Sequence, residues 1–435
     1  MGDNGNVPIL ALIALALVVL DAVADVLPDA SLFWVVTPVR LVIVVGLLAL
    51  AATVRRVDTS ALRWRWPFDL CALALLAAAA IPAYVYDGWS EWRGLLTSVA
   101  VAYLAAGVLR SSAESWRAVT LLAFGAVATA GLTGLRQTVQ GIPTGFCRGA
   151  LDGSSDSCGH PDVYMRAIGT FGNPNLLAAF LVLMLPLAVA YAAGHTQRNS
   201  RAVAYLVAAA GVAGVLATGS RAGMLALLAS LVAFVILRRP TTTRLVAGAA
   251  GAVVALTAAG IAIAVGGRIG VRADVWAAAV ELVRQHPLGV GVGRTGNLLA
   301  ARVPGDEEFQ HAHNLWLDML LAAGPVGLLA TIGLTVFAAA CVIRAARRGS
   351  AAGVALGCAL TAFAVFCLLD NPVNAIRNAT AAWFVLGLAV AAGHGVRHRR
   401  SLEVFRPEDR ETASAADDHA PTVRHGASRI SRESV

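Results

Sequence analysis

Arginine and histidine side chains that lie outside the apolar runs are the residues of this chain best suited to chemistry. Arg221 occurs in Thr-Gly-Ser-Arg-Ala-Gly, Arg272 in Arg-Ala-Asp-Val-Trp, and His313 in His-Ala-His-Asn-Leu-Trp. An arginine stays charged at physiological pH and can grip a phosphate with two parallel hydrogen bonds. A histidine has an ordinary pKa of about 6.5, which suits it to accept a proton at neutral pH. The three residues fit a reaction that holds a phosphate and removes a proton.

Each of the three residues also has a purely structural interpretation. Arg221 lies between two apolar runs of about sixteen residues, where a guanidinium can extend to lipid headgroups. Arg272, if directed into the protein, needs a charge partner, and a nearby Asp or Glu would serve as well as a phosphate. A histidine near a membrane surface is most often a hydrogen-bonded structural residue. The residue types alone leave both interpretations open.

A metal site is the third possibility, because His311 and His313 lie two residues apart. Zinc sites take at least three protein ligands, and the sequence offers no clear third one. The acidic run at 306–308 is typical of a solvated surface. The sequence therefore predicts neither a metal nor another cofactor.

Two amphipathic helices are expected to carry Arg272 and His313. Along residues 271–286, one face holds Val275, Trp276, Ala279, Leu282 and Val283, and the opposite face holds Asp274, Glu281 and Gln285. Arg272 lies one turn before Trp276 and so on the buried side, and we expect this helix to lie flat at the membrane interface. The second helix opens at His313 and Asn314, carries Asp318, and ends at Gly324-Pro325.

A glycine-rich stretch, His-Pro-Leu-Gly-Val-Gly-Val-Gly at 286–293, joins these two helices. Its glycines are not a dinucleotide-binding fingerprint, because that motif follows a β-strand and none is expected here. Glycine tolerates backbone conformations that other residues avoid. The stretch therefore predicts a tight, closely packed turn.

Long apolar runs make up most of the remaining chain. It is 58% hydrophobic and only 14% charged, whereas soluble domains carry about 25% charge. About twelve runs are long enough to cross a bilayer, and a membrane β-barrel would show short alternating segments instead. The runs cover approximately 7–27, 32–54, 68–86, 95–109, 118–135, 176–193, 202–217, 222–237, 245–265, 325–343, 351–369 and 379–393. We predict an all-α polytopic membrane protein.

The arginines orient these spans. No lysine occurs, and arginines cluster in alternate loops, which places those loops and both termini in the cytoplasm. The longest outside loop, about 266–324, separates spans nine and ten and carries the two amphipathic helices. Residues 1–400 form the membrane domain, and residues 401–435 form a polar, disordered cytoplasmic tail. The net charge of +8 reflects this topology and does not indicate nucleic-acid binding.

Two of the six cysteines, Cys147 and Cys158, share one polar outside loop. Their spacing and location favour a disulfide, which forms on the oxidising side of a membrane. Two free thiols are the alternative. The other four cysteines lie in apolar runs and are expected to be packing residues.

The polar motifs together resemble the O-antigen ligase and polymerase family of bacterial membrane proteins. The resemblance covers roughly residues 165–345. Its motifs are Gly-Thr-Phe-Gly-Asn-Pro-Asn at 169–175, Ser-Arg-Ala-Gly at 220–223, Arg-x-x-x-Trp at 272–276, His-Pro-Leu-Gly-Val-Gly at 286–291, His-Asn-Leu-Trp-Leu at 313–317 and Gly-Pro-Val-Gly at 324–327.

The resemblance implies a membrane glycosyltransferase of the broad GT-C type that needs neither metal nor nucleotide. Such an enzyme moves a glycan from an undecaprenyl-diphosphate carrier to an acceptor hydroxyl at the outer face of the cytoplasmic membrane. Arg221 and Arg272 match the family's two essential arginines, and His313 matches its essential histidine. We expect four neighbours to orient groups near the site: Asn175, Trp276, Asn314 and Asp318.

Several related activities remain open at this level. A ligase, a polysaccharide polymerase and a protein O-oligosaccharyltransferase share these motifs. The Ala- and Val-rich composition without lysine suggests a high-GC genome, and many such bacteria lack lipopolysaccharide, so the acceptor could be a glycan, a lipid or a protein. A transporter or flippase for polyprenyl-linked glycans is the alternative from another class. It is disfavoured because the spans carry almost no charge at their centres.

Overall fold

The protein is described by a computed structural model, which covers residues 9–28, 35–54, 66–112, 114–148, 164–251, 271–303 and 311–393. Within these residues the chain is almost entirely helical. The helices are α1 (Ile9–Ala24), α2 (Pro38–Val54), α3 (Trp66–Val85), α4 (Trp89–Ser111), α5 (Ser115–Val139), α6 (Pro174–Ala193), α7 (Arg198–Ala217), α8 (Arg221–Leu237), α9 (242–251), α10 (Val271–Gln285), α11 (Thr295–Ala300), α12 (Leu315–Arg347), α13 (Ala351–Cys367) and α14 (Ile376–Gly393). The predicted cytoplasmic tail lies outside the described residues.

The helices confirm an all-α polytopic membrane protein. Seven of them, α3 to α7, α12 and α14, are long and apolar enough to cross a bilayer. Four shorter apolar helices, α1, α2, α8 and α13, correspond to four more of the predicted runs. The ninth run, 245–265, begins in α9 and continues outside the described residues. The count of twelve spans therefore stays a prediction.

Small residues let the central spans pack closely, as is usual between helices in membranes. In α14, a Cβ added at Gly387 would come within 2.1 Å of the Ala102 carbonyl oxygen in α4. Gly131 in α5 and Gly211 in α7 approach in the same way, at 3.0 Å. The spans α6 and α14 are the most buried of the seven, so the core lies around them.

Helices α10 and α11 and the start of α12 share a small hydrophobic cluster and together form a cap on the spans. Val275, Ala279 and Leu282 of α10 are fully buried, and they pack with α11 and the start of α12. On the opposite side of α10, Asp274 and Glu281 are exposed. The predicted amphipathic helix is confirmed, whereas its flat orientation at the membrane interface stays a prediction.

A kink in α12 attaches this cap to the spans. Ala323 and Gly324 leave the helical conformation just before Pro325, as the sequence predicts. Proline has no N–H, so the carbonyl of Leu321 loses its usual helical donor. That carbonyl accepts instead from the backbone N–H of Val290 at 2.7 Å.

The glycine-rich stretch matches this kink closely. The Ala322 carbonyl accepts from Gly291 N–H at 3.1 Å. Gly289, Gly291 and Gly293 all have positive φ, and a Cβ at Gly289 would meet the Ala322 carbonyl at 2.6 Å. The predicted tight turn is confirmed, and its partner is the kink at Gly324.

The structure also contains one short antiparallel pair of strands, β1 (Cys147–Arg148) and β2 (Tyr164–Met165). The all-helical prediction did not include it. Cys147 is disulfide-bonded. Cys158 lies outside the described residues, so its pairing with Cys147 stays a prediction. The other four cysteines are free, as expected.

Candidate active site

A buried carboxylate, Asp370, lies at the centre of the polar residues. It follows α13, at the start of the segment that leads into a short 3₁₀ helix (Pro372–Asn374), and only 5% of it is exposed. Its Oδ1 lies 3.3 Å from Nε2 of His311 and 3.4 Å from Nδ1 of His313. Its Oδ2 accepts from the side-chain amide of Asn175 at 2.9 Å. One carboxylate therefore joins two histidines and the Gly-Thr-Phe-Gly-Asn-Pro-Asn motif.

The hydrogen bonds assign the protons on both imidazole rings. Nδ1 of His311 accepts from the backbone N–H of His313 at 3.1 Å, so the proton of neutral His311 is on Nε2, facing Asp370. An ionised carboxylate only accepts, so His313 presents Nδ1–H to Asp370 and keeps a lone pair on Nε2. The side chain of His313 is 27% exposed. The assignment leaves His313 able to take a proton from a bound substrate.

The charges of the cluster are consistent with this assignment. Burial alone would raise the pKa of Asp370, but the hydrogen bond from His313 and the charges of both histidines outweigh burial and lower it. Burial lowers the pKa of His311 despite the nearby carboxylates of Asp370 and Asp318. Asp370 is therefore ionised and His311 neutral at neutral pH.

Asp370 adds a third candidate metal ligand to His311 and His313, and the sequence did not predict it. The ligand atoms of His311, His313 and Asp370 lie within 4.8 Å of one another, so the group could hold an ion. However, Nδ1 of His311 already accepts a backbone hydrogen bond, and each histidine has a nitrogen directed at Asp370. We interpret the cluster as a hydrogen-bonded network.

Arg166 extends this network toward Arg221, and sequence reasoning missed it, as it missed the role of Asp370. Nε of Arg166 donates to the Thr218 carbonyl at 2.7 Å, and Nη2 donates to Oδ1 of Asn175 at 3.3 Å. The signals were weak: Arg166 lies three residues before the first glycine of the Gly-Thr-Phe-Gly motif, and Asp370 opens a short outside loop. Neither signal indicated which charges would meet.

Asp318 and Asn314 hold the backbone around His313. Asp318 is buried and accepts from Ala312 N–H at 3.2 Å and from the Asn371 amide at 2.5 Å. Asn314 caps α12 by accepting from Leu317 N–H, and its amide donates to the Leu368 carbonyl at 3.0 Å. Both therefore fix the His311–His313 segment against the segment that carries Asp370.

Trp276 and Arg272 approach the same segment from α10. The indole N–H of Trp276 donates to the Ala312 carbonyl at 2.9 Å. The charge of Arg272 acts on His311 and contributes to its lowered pKa. Within the described part of the chain, no carboxylate forms an ion pair with Arg272. Of the two partners that the sequence left open, a carboxylate is thus not found among the described residues, and the guanidinium remains available to an anion.

Arg221 lies at the edge of the described network and makes no direct contact with His313 or Asp370. It is the first residue of α8, it is exposed, and Ser220 caps its helix by accepting from Gly223 N–H at 3.3 Å. Its guanidinium has no hydrogen bond or ion pair with any described residue. The turn before it is nevertheless joined to Asp370 through Arg166 and Asn175.

Comparison with known families bears on this arrangement. Residues 205–332 match the family model described as O-Antigen ligase. The chain is O-antigen ligase-like. The matched segment of this ligase-like protein contains Arg221, Arg272 and His313, while Arg166 and Asp370 lie on either side of it. No curated protein matches the chain in sequence. The match supports a membrane enzyme of the O-antigen ligase and polymerase family.

Proposed function

We propose that the protein is a membrane glycosyltransferase of the O-antigen ligase type. It transfers a glycan from an undecaprenyl-diphosphate carrier to an acceptor hydroxyl at the outer face of the cytoplasmic membrane. The observation that carries this proposal is the pairing of His313 with the buried, ionised Asp370, with Arg272 close enough for its charge to act on His311. That arrangement combines a base, His313, with a cation, Arg272, that has no carboxylate partner among the described residues. The family resemblance requires both.

His313 acts as the general base in the proposed reaction. Asp370 holds Nδ1–H, so the lone pair on Nε2 takes the proton of the acceptor hydroxyl. The acceptor oxygen forms a bond to the anomeric carbon while the bond from that carbon to the diphosphate oxygen breaks. The electron pair of the broken bond leaves with the diphosphate. Attack from the face opposite the leaving group inverts the anomeric configuration.

The arginines stabilise the leaving group. The charge of Arg272 acts on His311, and no described carboxylate pairs with Arg272. Its guanidinium can form charge-assisted hydrogen bonds with a phosphate. Arg221 is exposed at the start of α8 and supplies the second cation once the donor is bound. Two permanent positive charges stabilise the charge that develops on the diphosphate, so the step needs no metal.

The proposed step is the same for a ligase, a polysaccharide polymerase and a protein O-oligosaccharyltransferase. In each case the base acts on a hydroxyl, whether a glycan, a lipid or a protein carries it. A flippase would instead need ionisable groups near the bilayer centre. Arg40 and Asp69 are within the first turns of α2 and α3, near the ends of these helices.

Glycan transfer by single variants tests the proposal. We expect His313→Ala, Arg272→Ala and Arg221→Ala each to lower the transfer rate by about 10²-fold or more at unchanged membrane abundance. Arg284→Ala is the matched control, because Arg284 is exposed and its ion pair among the described residues is with Glu281 on its own helix. Transfer should also persist in a chelator. Normal transfer by all three variants would refute the mechanism.

A further inference from the structure

Arg166 contacts two separate segments of the candidate active site with one edge of its guanidinium. Its Nε donates to the Thr218 carbonyl at 2.7 Å, and its Nη2 donates to Oδ1 of Asn175 at 3.3 Å. These two nitrogens form one edge of a rigid planar group, so both acceptor oxygens lie on the same side of it. A single side chain therefore fixes the position of the Thr218 carbonyl relative to Asn175.

The first contact holds the turn that precedes Arg221. Thr218 ends α7 and is fully buried, and its hydroxyl accepts from the backbone N–H of Ser220 at 3.1 Å. Ser220 in turn caps α8, whose first residue is Arg221. A carbonyl at the end of a helix lacks an intrahelical donor, and a cation is favoured there. Arg166 thus fixes the backbone from which the side chain of Arg221 extends.

The second contact determines the orientation of the Asn175 amide. A guanidinium donates hydrogen bonds and accepts none, so the amide oxygen faces Arg166. The amide nitrogen then faces Asp370 and donates to its Oδ2 at 2.9 Å. The other oxygen of Asp370 accepts from Nδ1 of His313. The reversed amide would place its oxygen against the carboxylate, so Arg166 acts on His313 through Asn175 and Asp370.

The backbone of Arg166 is held independently of its side chain. Its N–H donates to the Phe146 carbonyl at 3.0 Å, and its carbonyl accepts from the Thr144 hydroxyl at 2.8 Å. The next residue, Ala167, is buried and donates to the Ala217 carbonyl at 2.9 Å. The side chain therefore extends from a fixed point, and a substitution that removes its guanidinium leaves these backbone contacts in place.

We propose that Arg166 is a positioning residue for the glycosyl transfer, and that it sets the position of Arg221 relative to His313. In the proposed step Arg221 holds the diphosphate while His313 takes the proton of the acceptor hydroxyl, so the two groups must flank one anomeric carbon. A misplacement of about 1 Å can lower such a rate by about 10²-fold. Arg166 lies outside the family-matched segment, which begins at residue 205. The inference rests on the proposed function, which gives Arg221 and His313 their roles.

Hydrogen–deuterium exchange of the purified full-length protein in detergent tests the two contacts without any substrate. Arg166→Met removes the donors and the charge and keeps an unbranched side chain. We expect exchange to become faster by about tenfold or more in both segments, 218–223 and 368–374, because each loses a hydrogen bond that holds it. Asn175→Ala should accelerate exchange in 368–374 alone, because the contact between Arg166 and Thr218 remains.

Two further variants make this comparison decisive. Arg136→Met is the matched control, because Arg136 is exposed and its described side-chain hydrogen bond is to Gln140 on its own helix. It should leave exchange in both segments unchanged. Arg166→Lys serves if Arg166→Met does not fold, as judged by its unfolding temperature. Lys keeps the charge but lacks the fixed edge of two donors, so Arg166→Lys should also accelerate exchange in both segments.

Glycan transfer measures the consequence for the reaction, with the lipid-linked glycan extracted from cells that produce the protein as the donor. We expect Arg166→Met to lower kcat by about tenfold or more and to raise the KM for the donor, whereas Asn175→Ala should lower kcat alone. Because Arg166 acts on His313 through Asn175, the double variant should have nearly the kcat of Arg166→Met. Effects on kcat that multiply would show that the two residues act independently and would overturn the proposal.

The outcomes separate this proposal from the proposed function. Normal transfer by His313→Ala would overturn the catalytic mechanism, and the exchange data would still decide whether Arg166 holds both segments. Normal transfer by Arg166→Met beside an inactive His313→Ala would overturn the role of Arg166 and leave the mechanism intact. Unchanged exchange in both segments of Arg166→Met, or of Arg166→Lys in its place, would likewise overturn the proposal.

Discussion

At the residue scale, the carboxylate of Asp370 determines which nitrogen of His313 carries the proton. His313 has a φ of 51°, which is uncommon for a residue with a side chain and concentrates at functional sites. In this conformation its N–H reaches Nδ1 of His311 while its own ring reaches Asp370. Two imidazoles thus share one carboxylate, and His313 directs Nε2 away from it.

Replacing Asp370 with Asn removes the negative charge of the side chain and keeps its size and shape, so the variant tests the role of the charge. An amide can donate to Nδ1 of His313 and favour the opposite tautomer, so we expect the transfer rate to fall by about 10²–10⁴-fold. Asp274→Asn is the control, because Asp274 is exposed on α10. Rates are measured at matched membrane abundance and unfolding temperature. A wild-type rate for Asp370→Asn would show that His313 needs no carboxylate.

Protonation of His311 should make stability depend on pH. Its folded-state pKa lies below the ordinary value of 6.5, so the unfolded chain binds more protons between the two values. Stability therefore falls as pH drops below about 6.5, by at most about 1.4 kcal/mol per pH unit. Unfolding temperatures of detergent-purified protein between about pH 5 and 8 measure this loss.

His311→Gln tests whether that single group is responsible. Gln keeps a polar side chain but does not titrate, so the slope below about pH 6.5 should shrink relative to the unmodified protein. An unchanged slope would assign the proton uptake to another group.

At the scale of elements, the glycine-rich stretch supplies backbone hydrogen bonds that the kink in α12 lacks. Pro325 frees the Leu321 carbonyl, the kink frees the Ala322 carbonyl, and the glycine-rich stretch supplies both missing donors. The close approach needs glycine on each side, because a Cβ at Gly324 would meet the Pro287 carbonyl at 2.7 Å. This contact sets the angle at which α12 presents His313.

Gly324→Ala should destabilise the protein and misplace His313. The residue has a φ of 66° and no room for a Cβ, so we expect a loss of about 1–3 kcal/mol and a lower transfer rate. Gly125→Ala is the control, since a Cβ there meets nothing within 4 Å. Unfolding temperature and transfer rate are compared for both variants. Equal behaviour of the two would contradict a rigid contact at the kink.

At the scale of the whole molecule, the N-terminal spans support a site that the C-terminal loops form. Arg377, which follows the Asp370 segment, forms an ion pair with Asp25 after α1 and donates to the Thr170 carbonyl at 2.6 Å. Helix α14 also packs on α4 through Gly387. The position of Asp370 therefore depends on helices far away in sequence.

Gly387→Ala should weaken the packing of α14 against α4. The added Cβ would overlap the Ala102 carbonyl, at 2.1 Å, so α4 and α14 must separate at a cost of about 1–3 kcal/mol. The expected result is a lower unfolding temperature with the chemistry of His313 intact at low temperature. An unfolding temperature equal to that of the unmodified protein would mean that the two helices separate freely.

The sequence by itself determined the apolar helices, the amphipathic α10 and the interruption at Gly324-Pro325. These features follow from local periodicity and from the backbone chemistry of Gly and Pro, which act over a few residues. The family resemblance likewise depends on short motifs, and Arg272, Trp276 and His313 do lie around one segment.

Only the tertiary structure decided which charges meet. Asp370 is 57 residues from His313 and 195 from Asn175, and nothing in its local sequence distinguishes it from a solvated loop carboxylate. Arg166 and Asp370 both acquire their positions in this way. Their roles depend on burial between helices, because burial makes an unpaired charge costly and therefore selects its partners. That physical effect arises from packing across the whole chain, which local patterns in a sequence do not encode.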